Sequence, residues 1–198
     1  MAREFSTDEE IVVWADSLDE RWPERQDVRE SIVRRLSTMG CSQPTIVELC
    51  SGDGRLAKQI LDDVPDAKYQ CVDASVSLGA YVSRVVGVST MVADLSGVDW
   101  STPLEQSVDV IVTLQSMHDV GDGTVIERIY GTCYDILSPG GVFLVADFVV
   151  AEDAFDPAKA GRLPQSWHLS RLRACGFTDV GSVVAAGQIE CFQGVKST

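Results

Sequence analysis

Apolar residues fall along this chain in two alternating rhythms. Short runs with little polar interruption occupy Thr45–Leu49, Tyr69–Asp73, Thr90–Ala93, Val108–Leu114 and Gly141–Phe148. Most are rich in Val, Ile and Leu without two-residue alternation, the pattern of strands covered on both faces of a parallel sheet. Between them, spacings of three and four residues predict helices over Gly54–Asp63, Leu78–Val86 and Gly123–Leu137; in the last, Val125, Ile129, Cys133 and Ile136 fall near one face. Strand and helix in alternation predict an α/β fold with right-handed crossovers.

The two ends depart from this rhythm. Residues 1–40 carry no clear strand signal and read as helices, with Val28, Ile32, Val33 and Leu36 as an apolar stripe and Met39-Gly40 as a stop. Ahead of Ile11, either Ser6 with Glu9 or Thr7 with Glu10 has capping-box spacing. At the other end, a helix over Gln165–Ala174 is closed by Gly176. Strands over Phe177–Val184 and Gln188–Gly194 then meet at Ala186-Gly187 as a hairpin.

Charge narrows the partners. The chain has 198 residues, enough for one domain with a sizeable core, and carries 16 Lys and Arg against 30 Asp and Glu, a net charge of −14. That balance argues against a nucleic-acid or anionic-membrane binder. Arg25, Arg34 and Arg35 gather in one segment and are expected on a solvated helix face. The six cysteines lack metal-ligand spacing and read as reduced, mostly buried thiols; no metal is expected. With no apolar run of 18 residues and no signal peptide, a cytoplasmic location is expected.

Candidate chemistry begins directly after the first apolar run, at Glu48-Leu49-Cys50-Ser51-Gly52-Asp53-Gly54-Arg55-Leu56-Ala57. A glycine-containing turn between a buried strand and a helix lets a ligand approach the backbone closely. Gly52, Gly54 and Ala57 fit the relaxed dinucleotide pattern. Asp73, 19 residues after Gly54, ends the second run, where a carboxylate can accept hydrogen bonds from both ribose hydroxyls. These features suit a nicotinamide or flavin enzyme equally.

Later elements separate the readings. Ala93-Asp94-Leu95 ends the third run, and Asp109-Val110-Ile111-Val112 leads into Gln115-Ser116-Met117-His118-Asp119. Leu137-Ser138-Pro139-Gly140-Gly141 precedes the fifth, and Cys175-Gly176-Phe177 precedes the hairpin. In order and spacing, residues 40–195 resemble the class I S-adenosylmethionine-dependent methyltransferases. Glu48 to Gly54 correspond to that family's acidic-x-Gly-x-Gly-x-Gly motif, with Cys50 where the first glycine stands. Ser51-Gly52-Asp53-Gly54 also echoes the polyamine synthases, whose further acids after the fourth strand are replaced here by Gln115-Ser116-Met117.

The resemblance implies a Rossmann-like, mostly parallel seven-stranded sheet of order 3-2-1-4-5-7-6 with strand 7 antiparallel and helices on both faces. Residues 41–198 would form the S-adenosylmethionine-binding domain, and 1–40 an N-terminal helical cover. It assigns cofactor contacts to Glu48, Cys50, Gly52, Gly54, Asp73, Ala74, Asp94, Leu95 and Gln115. Pro139-Gly140-Gly141 reads as structural, stopping a helix and admitting a strand.

His118, at the carboxyl edge of the fourth strand, is the candidate catalytic base, since an imidazole near its ordinary pKa of ~6.5 can deprotonate a nucleophile. Its competing role is packing over the cofactor while bonded to a neighbouring loop. Asp119 either orients His118 or caps the helix starting near Asp122. His168 is expected on a helix surface. Phe148, Trp14 and Trp22 read as pocket wall or as core. The implied activity is methyl transfer from S-adenosylmethionine to an oxygen or nitrogen of a small molecule, neutral or cationic given the chain's charge. The alternative, raised by Cys50, is a methyltransferase-like protein that does not transfer: a cyclase-type enzyme or a partner subunit.

Overall fold

The apolar runs become strands β1 (Thr45–Leu49), β2 (Lys68–Asp73), β3 (Ser89–Val92), β4 (Val108–Leu114) and β5 (Leu137–Val150) in a computed structural model. It describes residues 3–198 other than Pro103, Glu105, Gln106 and Phe155, with Pro157 described by its backbone. Leu163–Pro164 adds a two-residue β6, and the hairpin is β7 (Thr178–Ala186) with β8 (Ile189–Val195). The helices are α1 (Asp8–Arg21), α2 (Glu24–Ser37), α3 (Arg55–Asp63), α4 (Val76–Val85), α5 (Met117–Val120), α6 (Gly123–Ile136) and α7 (Gln165–Ala174).

The sheet runs β3-β2-β1-β4-β5-β8-β7, with β6 paired to β5 off this path. β1 to β5 pair in parallel, whereas β8 is antiparallel to both β5 and β7. Because β6 takes a number, this is the expected order, antiparallel strand included. α5 is a four-residue turn that the hydrophobic pattern did not predict.

The missing polar alternation has a direct cause. Within each central strand, neighbouring residues point into two different cores: Ile46, Val110, Val112 and Leu144 into one, Val47, Ile111, Phe143 and Val145 into the other. Each such fully buried side chain contributes roughly 1.5–3 kcal/mol. The outer strands differ, since Ser89 and Val92 of β3 and Thr178 of β7 are exposed at the sheet margins.

The first 40 residues divide in role. The α2 stripe of Val28, Ile32, Val33 and Leu36 joins the first core beside Ile46 and Ile60. α1 buries only Ile11 and Ala15. Its start uses the second of the two capping boxes: Thr7 Oγ1 accepts from the Glu10 N–H at 3.2 Å, and the Glu10 carboxylate accepts from the Thr7 N–H at 3.3 Å.

Three expectations are corrected. His168 is buried, not on a surface, because α7 lies between α6 and the hairpin: its ring stacks on Phe192 at 5.0 Å and its Nδ1 lies 2.8 Å from the Tyr130 hydroxyl. The arginine trio is not one solvated face. Arg34 is exposed, Arg35 donates to Gln193 Oε1 at 3.0 Å, and Arg25 turns into the cleft described below. Pro139-Gly140-Gly141 lies inside the extended stretch of β5 instead of ahead of it. Gly140 supplies the left-handed φ of +80°, and a Cβ on Gly141 would stand 2.8 Å from the Ser138 carbonyl oxygen, so Gly141 permits the close passage. No helix among the described residues is long and apolar enough to cross a membrane.

Candidate active site

The order of strands reverses between β1 and β4, and in open α/β sheets ligands bind at such a point beyond the carboxyl ends of the strands. A cavity of about 930 Å³ opens there. The β1–α3 loop and the ends of β2 and β3 form one part of its wall; Gln115, His118 and Phe148 form another, with Trp14, Trp22 and Arg25 from α1, α2 and the turn between them. Of the ten candidate residues, nine line it: Glu48, Cys50, Gly52, Asp73, Ala74, Asp94, Leu95, Gln115 and His118. Gly54 does not. A Cβ there would meet Val82 and Val86 of the α4 region at 3.0–3.2 Å, so this glycine lets α3 pack close to α4.

Cys50 and Gln115, following β1 and β4, hold φ of +53° and +54°. Side-chain-bearing residues adopt this left-handed conformation at a cost of about 1–2 kcal/mol. Cys50 therefore makes the turn a glycine would make, under strain. Burial and the surrounding charges of Asp73, Asp147 and Glu48 push its thiol pKa well up, so it stays protonated.

Asp73 ties the loop to the end of β2. Its Oδ2 accepts from the Gly52 N–H at 3.0 Å and its Oδ1 from the Ser75 N–H at 2.9 Å. Each oxygen keeps a second lone pair for a ligand hydroxyl. Glu48 lies beneath the loop, accepting from the Tyr69 hydroxyl at 2.9 Å. Burial, reinforced by the like charges of Asp53 and Asp73, raises its pKa to about 8 against the opposing Tyr69 bond. Asp94, exposed at the cavity mouth, accepts from the N–H and hydroxyl of Ser96, which hold its pKa low.

His118 occupies α5 with a side chain 9% exposed. Its Nδ1 lies 2.6 Å from Asp147 Oδ1, and its backbone N–H donates to Asp147 Oδ2 at 2.8 Å. Burial, the largest influence, lowers the imidazole pKa, but the Asp147 bond and the charges of Asp147 and Asp119 raise it more, leaving it above its ordinary value. Asp119 Oδ1 is 3.4 Å from Nε2, while the cap of α6 is Asp122, which accepts from the Thr124 and Val125 N–H groups.

Asp147 was missed by the sequence reading, although a signal was present. It is an acid inside an apolar run assigned to a strand covered on both faces, where a carboxylate demands a partner. Asp19 was missed as well. Its carboxylate accepts from Arg25 at 3.0 Å, Arg29 at 2.9 Å through two nitrogens, and Arg55 at 2.8 Å, joining α1 and α2 to α3. Arg25 also donates to Gln115 Oε1. The three aromatic candidates line the cavity, with Phe148 4.7 Å from Trp22 and 4.8 Å from His118 between ring centroids.

Residues 46–141 match the family model described as a methyltransferase domain. No curated protein matches the sequence. Among solved structures, the fold is similar to an O-methyltransferase family protein from Burkholderia thailandensis: TM-score 0.70, 19% identity, 86% of this chain and 57% of that one. It is similar to human N-acetylserotonin methyltransferase in complex with S-adenosylmethionine (0.72, 17% identity, 97% and 57%). The [4+2]-cyclase SpnF is a third neighbour (0.67, 16%, 85% and 80%). The family-model match covers just under half of the chain, the strand order is the one expected from the resemblance to class I S-adenosylmethionine-dependent methyltransferases, and the chain is similar in fold to these methyltransferase structures. It spans about three-fifths of the length of the first two neighbours.

Proposed function

We propose that the protein transfers a methyl group from S-adenosylmethionine to an oxygen or nitrogen of a small molecule held in the cavity, under the helical cover of residues 1–40. The observation that carries this reading is that one cavity joins the Asp73–Gly52 loop to the His118–Asp147 pair. The residues fit the cofactor. Glu48, Asp53 and Asp73 place three carboxyl groups where a sulfonium and an ammonium would be accommodated, a bound cation would draw Glu48 into its charged form, and the buried Ser51 hydroxyl beside them has no hydrogen-bond partner among the described residues. Asp73 would take the ribose hydroxyls, Asp94 the adenine amino group, and Glu48 the ammonium.

When bound, S-adenosylmethionine supplies a methyl group made electrophilic by its sulfonium. The chain has then to hold an acceptor in line with it, and such positioning can lower a barrier by as much as ~7–11 kcal/mol. With Nδ1 directed at Asp147, Nε2 of His118 is left to take the acceptor's proton, a contribution of roughly 10²–10⁴-fold. Asp147 holds that tautomer and stabilises the imidazolium that results. Trp22 and Phe148 exclude water from beside it.

Calorimetry with S-adenosylmethionine and S-adenosylhomocysteine tests the first half: wild type binds both, and Asp73→Ala binds sharply more weakly. Absence of binding to wild type would overturn the reading. Product analysis with a labelled methyl donor tests the second half; binding without label transfer to any acceptor would establish the non-transferring alternative that the cyclase neighbour and Cys50 favour.

A further inference from the structure

Whole-chain charge points to a neutral or cationic acceptor, but the cavity wall has the opposite bias. Seven of the chain's 16 basic residues line it, against five of its 30 acidic residues. Three of the seven, Arg25, Arg29 and Arg55, are committed to Asp19, and the acids Glu48, Asp53, Asp73 and Asp94 sit at the glycine-loop end.

Arg162 stands apart. It is half-buried, its guanidinium lies 4.2 Å over the Phe148 ring, and no carboxylate among the described residues pairs with it. Its place is fixed by its neighbour. A Cβ on Gly161 would stand 2.4 Å from the carbonyl oxygens of His118 and Gly121, so only glycine lets this segment pass against α5. Arg162 and His118 are thereby brought to the same aromatic ring, with Trp22 edge-on to it at 4.7 Å.

A planar cation with unused donors on an aromatic face suits bidentate capture of a carboxylate. We infer that the acceptor is an aromatic acid whose carboxylate is taken by Arg162, while its ring lies against Trp22 and Phe148 and its nucleophilic group reaches Nε2 of His118. This rests on the methyl-transfer reading for the identity of the nucleophile; the charge preference itself does not.

The test uses protein saturated with S-adenosylhomocysteine and follows intrinsic tryptophan fluorescence during titration with 4-hydroxycinnamate, its methyl ester, and tyramine. The acid is expected to bind at least tenfold more tightly than either. Arg162→Gln should remove that preference by weakening the acid alone, and Arg162→Lys should retain part of it. Equal binding of acid and ester by wild type, tightest binding of tyramine, or an equal loss of both acid and ester in Arg162→Gln would overturn the proposal. Repeating the titration without S-adenosylhomocysteine separates the two readings: an acid preference that persists in a protein with no cofactor affinity sinks the proposed activity and leaves the anionic ligand standing.

Discussion

The carboxylate of Asp147 lies 2.6 Å from Nδ1 of His118 and thereby decides which imidazole nitrogen remains for chemistry. Replacement by Asn puts an amide where a carboxylate was, removing the charge and the fixed tautomer together. Asp147→Asn is therefore expected to lower kcat by about 10²-fold or more, within the range general-base catalysis spans, while S-adenosylhomocysteine affinity stays within about threefold, as expected for a residue removed from the glycine loop. The pH profile adds a readout that misfolding would not imitate. In wild type the His118 pKa is raised, so activity is lost as pH falls through a value above the ordinary one. In the variant the Asp147 bond and charge are gone, the Asp119 charge alone is left to oppose burial and Arg162, and the acid limb of kcat/KM moves to lower pH.

Glu48 makes a second prediction, in stability. Its pKa of about 8 in the fold exceeds the value in the unfolded chain, so its contribution is full below about pH 4.5 and is lost as pH rises through 8. Glu48→Gln keeps an acceptor for the Tyr69 hydroxyl without an ionisable proton. Thermal denaturation without cofactor should show the two proteins converging near pH 5 and the variant the more stable at pH 8. The same variant should bind S-adenosylhomocysteine more weakly if Glu48 holds the ammonium group.

The Cys50 backbone predicts a near-cancellation. Cys50→Gly relieves a left-handed conformation costing about 1–2 kcal/mol but adds about 0.5–1 kcal/mol of unfolded-chain entropy and removes a small apolar side chain. The variant should denature within about 1 kcal/mol of wild type. Cys50→Val keeps φ +53° and adds a β-branch, and should be destabilised by about 2 kcal/mol or more. Equal stability of the two variants would show that the loop does not depend on this conformation.

Periodicity carried the fold because the central strands bury both of their faces. Ile46 and Val47 enter different cores, and that doubling is what an unalternated apolar run encodes. Most of the candidate site was legible as well, because Gly52, Asp73 and Asp94 follow directly from strand ends. What escaped was set by contacts distant in sequence. Asp147 meets His118 across 29 residues, Asp19 meets Arg55 across 36, and His168 meets Tyr130 across 38. Gly54 was assigned to the cofactor, yet what its missing side chain accommodates is Val82 and Val86, a packing demand that a motif shared with ligand loops does not reveal.

His168 supplies the remaining prediction, because its burial reverses the sign of the His118 effect. Burial lowers the His168 pKa in the fold, outweighing the charges of Asp147 and Glu190, so the ring is neutral where its Nδ1 meets the Tyr130 hydroxyl. Its stabilising contribution is present above the ordinary histidine value of ~6.5 and is lost as pH falls from there through the lower folded value. His118, with its pKa raised, stabilises the fold below ~6.5 and loses that contribution as pH rises through its folded value. The two windows lie on opposite sides of ~6.5, so together they favour a stability maximum near that value, and wild-type stability alone does not separate them. His168→Gln preserves a hydrogen-bonding partner for the Tyr130 hydroxyl but has no proton to gain. At pH 7.5 it should be the less stable protein, by about 1–2 kcal/mol for the lost stacking on Phe192. Denaturant titrations at pH 7.5 and 5.5 should show that deficit shrinking on acidification. A deficit that stays constant across this range would mean that His168 is not held neutral by the fold.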